Sequence, residues 1–267
     1  MTTAMTTTAT GTSGAMTPVR ALSHSLTLTW RFLVKARRNP EMFFDVTVQP
    51  ILFTVLFVFV FGGAVGGDWH NYLQFLLAGL LVQNTIFLTI STGLALNNDI
   101  EKGVFDRFRS LPIARSSPLV GAVLGDAMRY ALSICILIAF GLVLGFHGPA
   151  LGIVAAALLV LGFALALCWV WVWLGLVMHK PQGVQAAGFP IMITLTFGSN
   201  VFVPLDTLPG WMRAFVDVNP VRYLVDAARG LMVGGPVAEG LRYTLCWSVG
   251  LLVVFVPLAL RAYRRRT

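Results

Sequence analysis

Six stretches of this chain are apolar for long enough to cross a bilayer, and that feature constrains its fold more than any other. The first, residues 46–63, reads VTVQPILFTVLFVFVFGG and is broken only by Gln49 and two threonines, with Pro50 in its first turns. A helix spans the hydrocarbon core with about 20 apolar residues, because it closes all its backbone hydrogen bonds within itself. Five more runs lie at about 72–97, 129–146, 151–178, 186–203 and 244–260. Only 11% of the 267 residues are charged and 57% are hydrophobic, whereas a soluble domain carries about 25% charged residues. The expected fold is therefore an all-α integral membrane protein with six transmembrane helices.

The segments between the runs set the orientation. Arg31, Lys35, Arg37 and Arg38 precede the first span, and Lys102, Arg107, Arg109 and Arg115 follow the second. Lys180 separates the fourth from the fifth, and Arg261, Arg264, Arg265 and Arg266 close the chain. The connections on the other side either lack Lys and Arg or balance them with acids, as Arg213, Arg222, Arg229 and Arg242 stand among Asp206, Asp217, Asp226 and Glu239. Lys and Arg collect on the cytoplasmic side, so both termini are expected there. The net charge of +8 is accounted for in this way, and nucleic acid is not an expected partner. Residues 1–17, rich in Thr, Ala, Gly and Ser, read as a disordered tail, and 18–267 as the membrane domain. Residues 18–40 place Leu22, Leu26, Trp30 and Leu33 at helical spacing with bases beside them, which predicts an amphipathic interfacial helix. Trp169, Trp171 and Trp173 suggest an aromatic belt, and Cys135, Cys168 and Cys246 suggest buried thiols with no metal-binding spacing.

Several chemistries have no residues to support them. The three lysines, Lys35, Lys102 and Lys180, never follow Gly or precede Ser or Thr, so the phosphate-binding loop of an ATPase is missing. No carboxylate sits at the middle of a span, where an ion-coupled carrier usually buries one. Asp126 comes nearest, and its spacing from Arg129 predicts an i,i+3 ion pair. The four histidines fall in separate segments with no hydrolase motif. Enzymatic activity, a metal site or a cofactor is therefore not expected of this chain.

Two connections are more than turns. In NNDIEKGVFDRFRSLPIARSSPLVG, Ile100, Val104, Phe108 and Leu111 share one helical face with Phe105 beside them, and Pro112 stops the helix. Those aromatics must be buried by lipid or in the groove of a partner. In VFVPLDTLPGWMRAFVDVNPVRYLVDAARGLMVGG, Pro209 and Trp211 open one amphipathic helix. Asn219–Pro220 caps a second, over 220–233, with an apolar face of Leu224, Val225, Ala228, Leu231 and Met232.

With these residues in view, the chain resembles the ABC-2-type exporter permeases. Glu101, Gly103, Leu111, Pro112, Ile113 and Arg115 match that family's cytoplasmic signature, and EKGVFDRFRSLPIAR is closest to its daunorubicin/doxorubicin-resistance-type drug-efflux branch. Phe202, Pro204, Leu208, Pro209, Trp211, Asn219, Pro220, Ala228, Arg229 and Gly230 match its pattern before the last span. The resemblance implies a bacterial plasma-membrane permease that exports a hydrophobic drug, antibiotic or lipid-like molecule. It implies two copies of a soluble ATPase, carrying ATP and Mg, and a second permease copy, a homodimer being the simplest assembly. Ile100, Glu101, Gly103, Phe105, Arg107, Phe108, Leu111 and Pro112 would form the ATPase-coupling helix. Pro204, Pro209, Trp211, Asn219, Pro220 and Arg229 would belong to re-entrant outer helices. Gln83, Asn84, Phe87, Thr89, Phe197, Asn200 and Phe202 are candidates for the substrate pathway, although polar residues in spans equally serve helix–helix hydrogen bonding. Relatives with the same topology export polysaccharide or lipid-linked glycan, and an ion-coupled carrier is the remaining alternative.

Overall fold

The computed structural model describes residues 43–65, 68–102, 117–205 and 209–266. Among them there are helices and no strands. A π-helical turn, Phe44–Val48, leads into α1 (Gln49–Val65). Then come α2 (Trp69–Glu101), α3 (Ser117–Val143), α4 (Ala150–Val177), α5 (Pro181–Phe197), the short α6 (Gly210–Val218) and α7 (Pro220–Val233), and α8 (Ala238–Arg266).

Five of these helices are long and apolar enough to cross a membrane: Phe44–Gly63, Trp69–Glu101, Gly125–Val143, Ala150–Val177 and Ala238–Arg265. The expected fifth span, at 186–203, corresponds to α5, which starts earlier and ends at Phe197. At 1.5 Å per residue its 17 residues rise only about 25 Å, short of a hydrocarbon core of about 30 Å. The structure thus gives five spans by length and composition where the sequence suggested six. The expected interfacial helix at 18–40 lies outside the described residues, as do 103–116, which hold most of the expected coupling helix.

Helix α2 is the centre of the bundle: 78% of its most apolar window is buried inside the protein. It packs against α1, α3, α4, α5 and α7. Lipid tails are as apolar as Leu, so close packing rather than the hydrophobic effect selects its neighbours. Helices α2 and α4 meet at glycines. A Cβ at Gly93 would collide with the carbonyl oxygen of Trp171, and one at Gly175 with the carbonyl oxygen of Gly93.

Pro50 explains a second join. It has no N–H to give to the π-helical turn before it, the turn that carries the Val46 carbonyl. The Ser133 hydroxyl of α3 donates to that oxygen at 3.2 Å, and Asn84 of α2 donates to Ser133 Oγ at 2.7 Å. One relay thus ties α1, α2 and α3 together.

The helices define two ends. At one, Asn97 Nδ2 of α2 donates to the carbonyls of Gly175 and Met178, both at 2.7 Å, so it caps the end of α4. Tyr263 of α8 is buried in the same cluster as Leu96, so the arginines that close α8 lie at this basic end. The opposite end holds the α3–α4 turn, where Gln74 Nε2 donates to the Gly145 carbonyl, and the α6–α7 pair.

Two smaller expectations are corrected. Trp171 is fully buried and Nε1 donates to Thr89 Oγ1 at 2.8 Å, so it is a core residue and not part of a belt. Cys168 is buried, but Cys135 and Cys246 face outward, the position of lipid-facing apolar residues in a spanning helix.

Candidate functional site

The candidate pathway residues fall into three groups. Gln83, Asn84 and Phe87 of α2 come together at a cleft whose other wall is Gln49, Pro50 and Phe53 at the start of α1. Asn84 and Phe87 are half-buried, while Gln83 is buried and its Oε1 has no hydrogen-bond partner among the described residues. Thr89 lies deeper, held between its own helix, through the Ile86 carbonyl, and Trp171. Phe197, Asn200 and Phe202 lie at the end away from the arginine-rich termini of α8, where α5 unwinds.

The first and third groups are linked by residues that the sequence reading did not single out. Phe53, Phe57 and Phe61 recur at i,i+4 on α1 and stack with centroids 5.9 and 5.4 Å apart. Phe57 also stacks on Phe202 at 4.5 Å, and Phe202 on Phe197 at 5.1 Å. An aromatic seam therefore runs from the cleft at Phe53 to the end of α5. The i,i+4 spacing was visible in the sequence, but its meeting with Phe202 was not.

Thr85 bonds back to the Leu81 carbonyl of its own helix, whereas Thr92 and Ser91 join α2 to α3. Thr92 hydrogen-bonds the Tyr130 hydroxyl. Ser91 meets Arg129, whose guanidinium also donates to the Leu88 carbonyl at 3.0 Å. Arg129 forms the expected pair with Asp126 at 3.4 Å. A charged group among apolar helices is tolerated when it is paired and hydrogen-bonded in this way.

The cap formed by α6 and α7 has the boundaries that the sequence implied. Asn219 Oδ1 accepts from the Val221 N–H at 2.9 Å, Pro220 fills the first helical position, and Gly234 ends α7 at φ 95°. That angle falls in the left-handed region, where glycine alone carries no Cβ penalty. The expected apolar face is inside: Leu224, Val225, Ala228 and Met232 are fully buried, and Leu231 is half-buried. Asn219 Nδ2 reaches the carbonyls of Leu195 and Gly198 at 2.7 Å, satisfying the frayed end of α5. Pro204 is half-buried before the cap, while Pro209 and Trp211 are exposed at the start of α6.

Arg229 pins this cap to the bundle. Its Nε donates to the Phe75 carbonyl and its Nη2 to the Asn200 carbonyl, each at 3.1 Å. The guanidinium lies 3.8 Å over the Phe75 ring and 3.7 Å from Asp226. Burial lowers its pKa to about 10 while Asp226 opposes the shift, so it stays charged at neutral pH. Asp226 also accepts from Asn200 Nδ2 at 2.5 Å and pairs with Arg222, which in turn pairs with Asp217.

Of the expected coupling helix, Ile100 and Glu101 are described: they complete α2, half-buried and exposed respectively. Gly103, Phe105, Arg107, Phe108, Leu111 and Pro112 lie outside the described residues. Among the described residues no group of three or more His, Cys, Asp or Glu is placed to hold a metal ion.

Comparison with known proteins adds three kinds of likeness. The pattern of a family described as ABC-2 type transporter matches residues 23–233. Over 253 residues the chain is 40% identical to the daunorubicin resistance ABC transporter permease protein DrrB1 of Streptomyces coeruleorubidus, covering 93% of this chain and 89% of that one. It is 30% identical over 253 residues to the probable doxorubicin resistance ABC transporter permease protein DrrC of Mycobacterium tuberculosis, covering 91% and 89%. It is 25% identical over 225 residues to the putative transport permease ycf38 of Cyanophora paradoxa, covering 82% and 77%.

Proposed function

The chain belongs to the ABC-2 type transporter family, and from that premise we propose that it is the permease subunit of an exporter of a hydrophobic drug, antibiotic or lipid-like molecule. The molecule leaves the cytoplasm or the inner leaflet. A soluble ABC ATPase, present in two copies, hydrolyses ATP with Mg, and a second copy of this permease completes the pathway. Two of the relatives are named for resistance to daunorubicin and doxorubicin, which supports this class of cargo. In this reading α5 makes the sixth crossing, both termini face the cytoplasm of a bacterial plasma membrane, and α6 and α7 are the re-entrant outer cap.

The observation that carries the reading is the seam that runs from α1 to the end of α5, beside the amides of α2. Stacked Phe53, Phe57, Phe202 and Phe197 offer flat apolar faces, and Gln83 and Asn84 supply a few amide groups at one end. The lining has the apolar walls and few placed polar groups usual in a small-molecule site, while the cleft itself encloses only about 20 Å³. Helix α2 runs unbroken from Trp69 to Glu101. A displacement at Glu101 therefore reaches Asn84 and Phe87 through one rigid rod, which gives the ATPase a physical route to the seam.

The test is reconstitution with the ATPase, with export and ATP hydrolysis read separately. Phe108→Ala and Glu101→Arg are expected to insert normally and to keep hydrolysis while export falls by roughly 5- to 150-fold, the range of ordinary coupling energies. Normal export by both variants overturns the coupling assignment. Unchanged substrate affinity in both Asn84→Ala and Asn200→Ala counts against a binding role for the seam.

A further inference from the structure

A groove on the outer surface of the bundle, at its basic end, takes no part in the seam or the cap. Trp173 and Val177 of α4, with His179 just beyond, form one side, and Leu258, Arg261 and Arg265 of α8 form the other. It encloses about 420 Å³, within the range of clefts that hold small molecules.

Its charge pattern is unusual for this protein. Arg261 and Arg265 are four residues apart, hence on the same helical face, where like charges repel. Both are exposed, and among the described residues neither has an acidic partner. At the other end of the bundle, by contrast, Arg222 and Arg229 each pair with a carboxylate. Among the described residues, two guanidinium groups thus stand beside each other over an apolar floor.

That floor continues toward the middle of the membrane. One turn from Leu258, the Phe255 ring packs edge-on against Trp173 at 5.7 Å. Phe255 and Val254 then open onto a second, almost wholly apolar groove along α8 that extends to Trp247. Arginines at the interface with an apolar track leading inward match a molecule that has an anionic head and a hydrocarbon tail.

We infer that this groove binds one anionic phospholipid. The phosphate diester sits between Arg261 and Arg265 with His179 at its edge, and an acyl chain lies over Leu258 along Phe255 and Val254. A free phosphate would use the arginines but leave the apolar track empty. An acidic protein segment could not follow that track into the hydrocarbon. The inference rests only on the chain being a membrane permease, and its test needs neither the ATPase nor a transported substrate.

The full chain is reconstituted in phosphatidylcholine vesicles carrying brominated phosphatidylglycerol or, separately, brominated phosphatidylcholine. Tryptophan quenching is read as the difference between the protein and its Trp173→Phe variant, which isolates the groove. Brominated phosphatidylglycerol is expected to quench Trp173 preferentially. Arg261→Gln/Arg265→Gln is expected to reduce that preference about 30-fold, at about 1 kcal/mol per arginine. Arg264→Gln, which changes a neighbouring exposed arginine outside the groove, is expected to leave it unchanged. If the double variant does not fold, Arg265→Gln alone is expected to give about a fivefold loss. Equal quenching by the two lipids overturns the inference, as does a preference that survives loss of the arginines. Displacement of the lipid by inorganic phosphate at equal concentration assigns the arginines to a free anion and overturns it as well. Any of these failures leaves the exporter reading standing.

Discussion

Replacing Arg229 with alanine should loosen the cap more than any other single change in it. The side chain makes two charge-assisted hydrogen bonds to the carbonyls of Phe75 and Asn200, both at 3.1 Å. Each is worth about 1.5–3 kcal/mol, and the contact over the Phe75 ring adds about 0.5–2 kcal/mol. These terms share one group and do not add fully. Asp226 would not be stranded, because Arg222 and Asn200 still reach it. The expected cost is therefore about 3–4 kcal/mol, below the top of the range for breaking a buried pair. Arg229→Lys keeps the charge but not the forked geometry, and should cost about 1–2 kcal/mol. The assay is reversible unfolding in mixed micelles, with protease cleavage at residues 234–237 as a local probe of α7 release. Burial lowers the Arg229 pKa to about 10, so below that value the group is protonated both folded and unfolded. Its contribution should consequently be constant from about pH 6 to 9. An alanine variant within about 0.5 kcal/mol of the parent, or a cap that releases on moving from pH 6 to 9, would refute the reasoning.

Three further changes probe the joins between helices. Gly93→Leu should prevent α2 and α4 from closing, since even a Cβ there meets the Trp171 backbone; loss of the monodisperse protein on size-exclusion chromatography is the readout. Asn97→Ala should cost about 1–3 kcal/mol in the same unfolding assay, because two carbonyls at the end of α4 lose their donor. Ser133→Ala should cost about 1–2 kcal/mol by removing the hydroxyl that donates to the Val46 carbonyl and accepts from Asn84.

The cap was legible in the sequence down to single residues. Asn219, Pro220 and Gly234 each carry a local rule for starting or ending a helix, and α7 obeys all three. Helix α4, expected at 151–178, spans Ala150–Val177 for the same reason: Pro149 and His179–Lys180–Pro181 bracket a continuous apolar run. The end of α2 was less legible. Asn97 and Asn98 resemble a helix stop, yet the helix continues to Glu101 because the Asn97 side chain satisfies α4 instead of ending its own helix. The tryptophans were misjudged by composition. At 100° per residue Trp169 and Trp173 share a face while Trp171 points nearly opposite, which is why it lies in the core with Thr89. The Gly93–Gly175 contact and the Phe57–Phe202 stack join segments far apart in the chain. A single sequence names the glycines and phenylalanines but not which of them meet.

The most direct test of the central claim is to purify this chain from its native host in mild detergent and identify what accompanies it by mass spectrometry. The account predicts a soluble protein with a phosphate-binding loop, in about equal amount to the permease, whose ATP hydrolysis responds to hydrophobic substrates. A folded chain that emerges alone, and that gains no ATPase even after cross-linking in the membrane, would contradict it. The Asp126–Arg129 pair of an ion-coupled carrier would then be the first place to look.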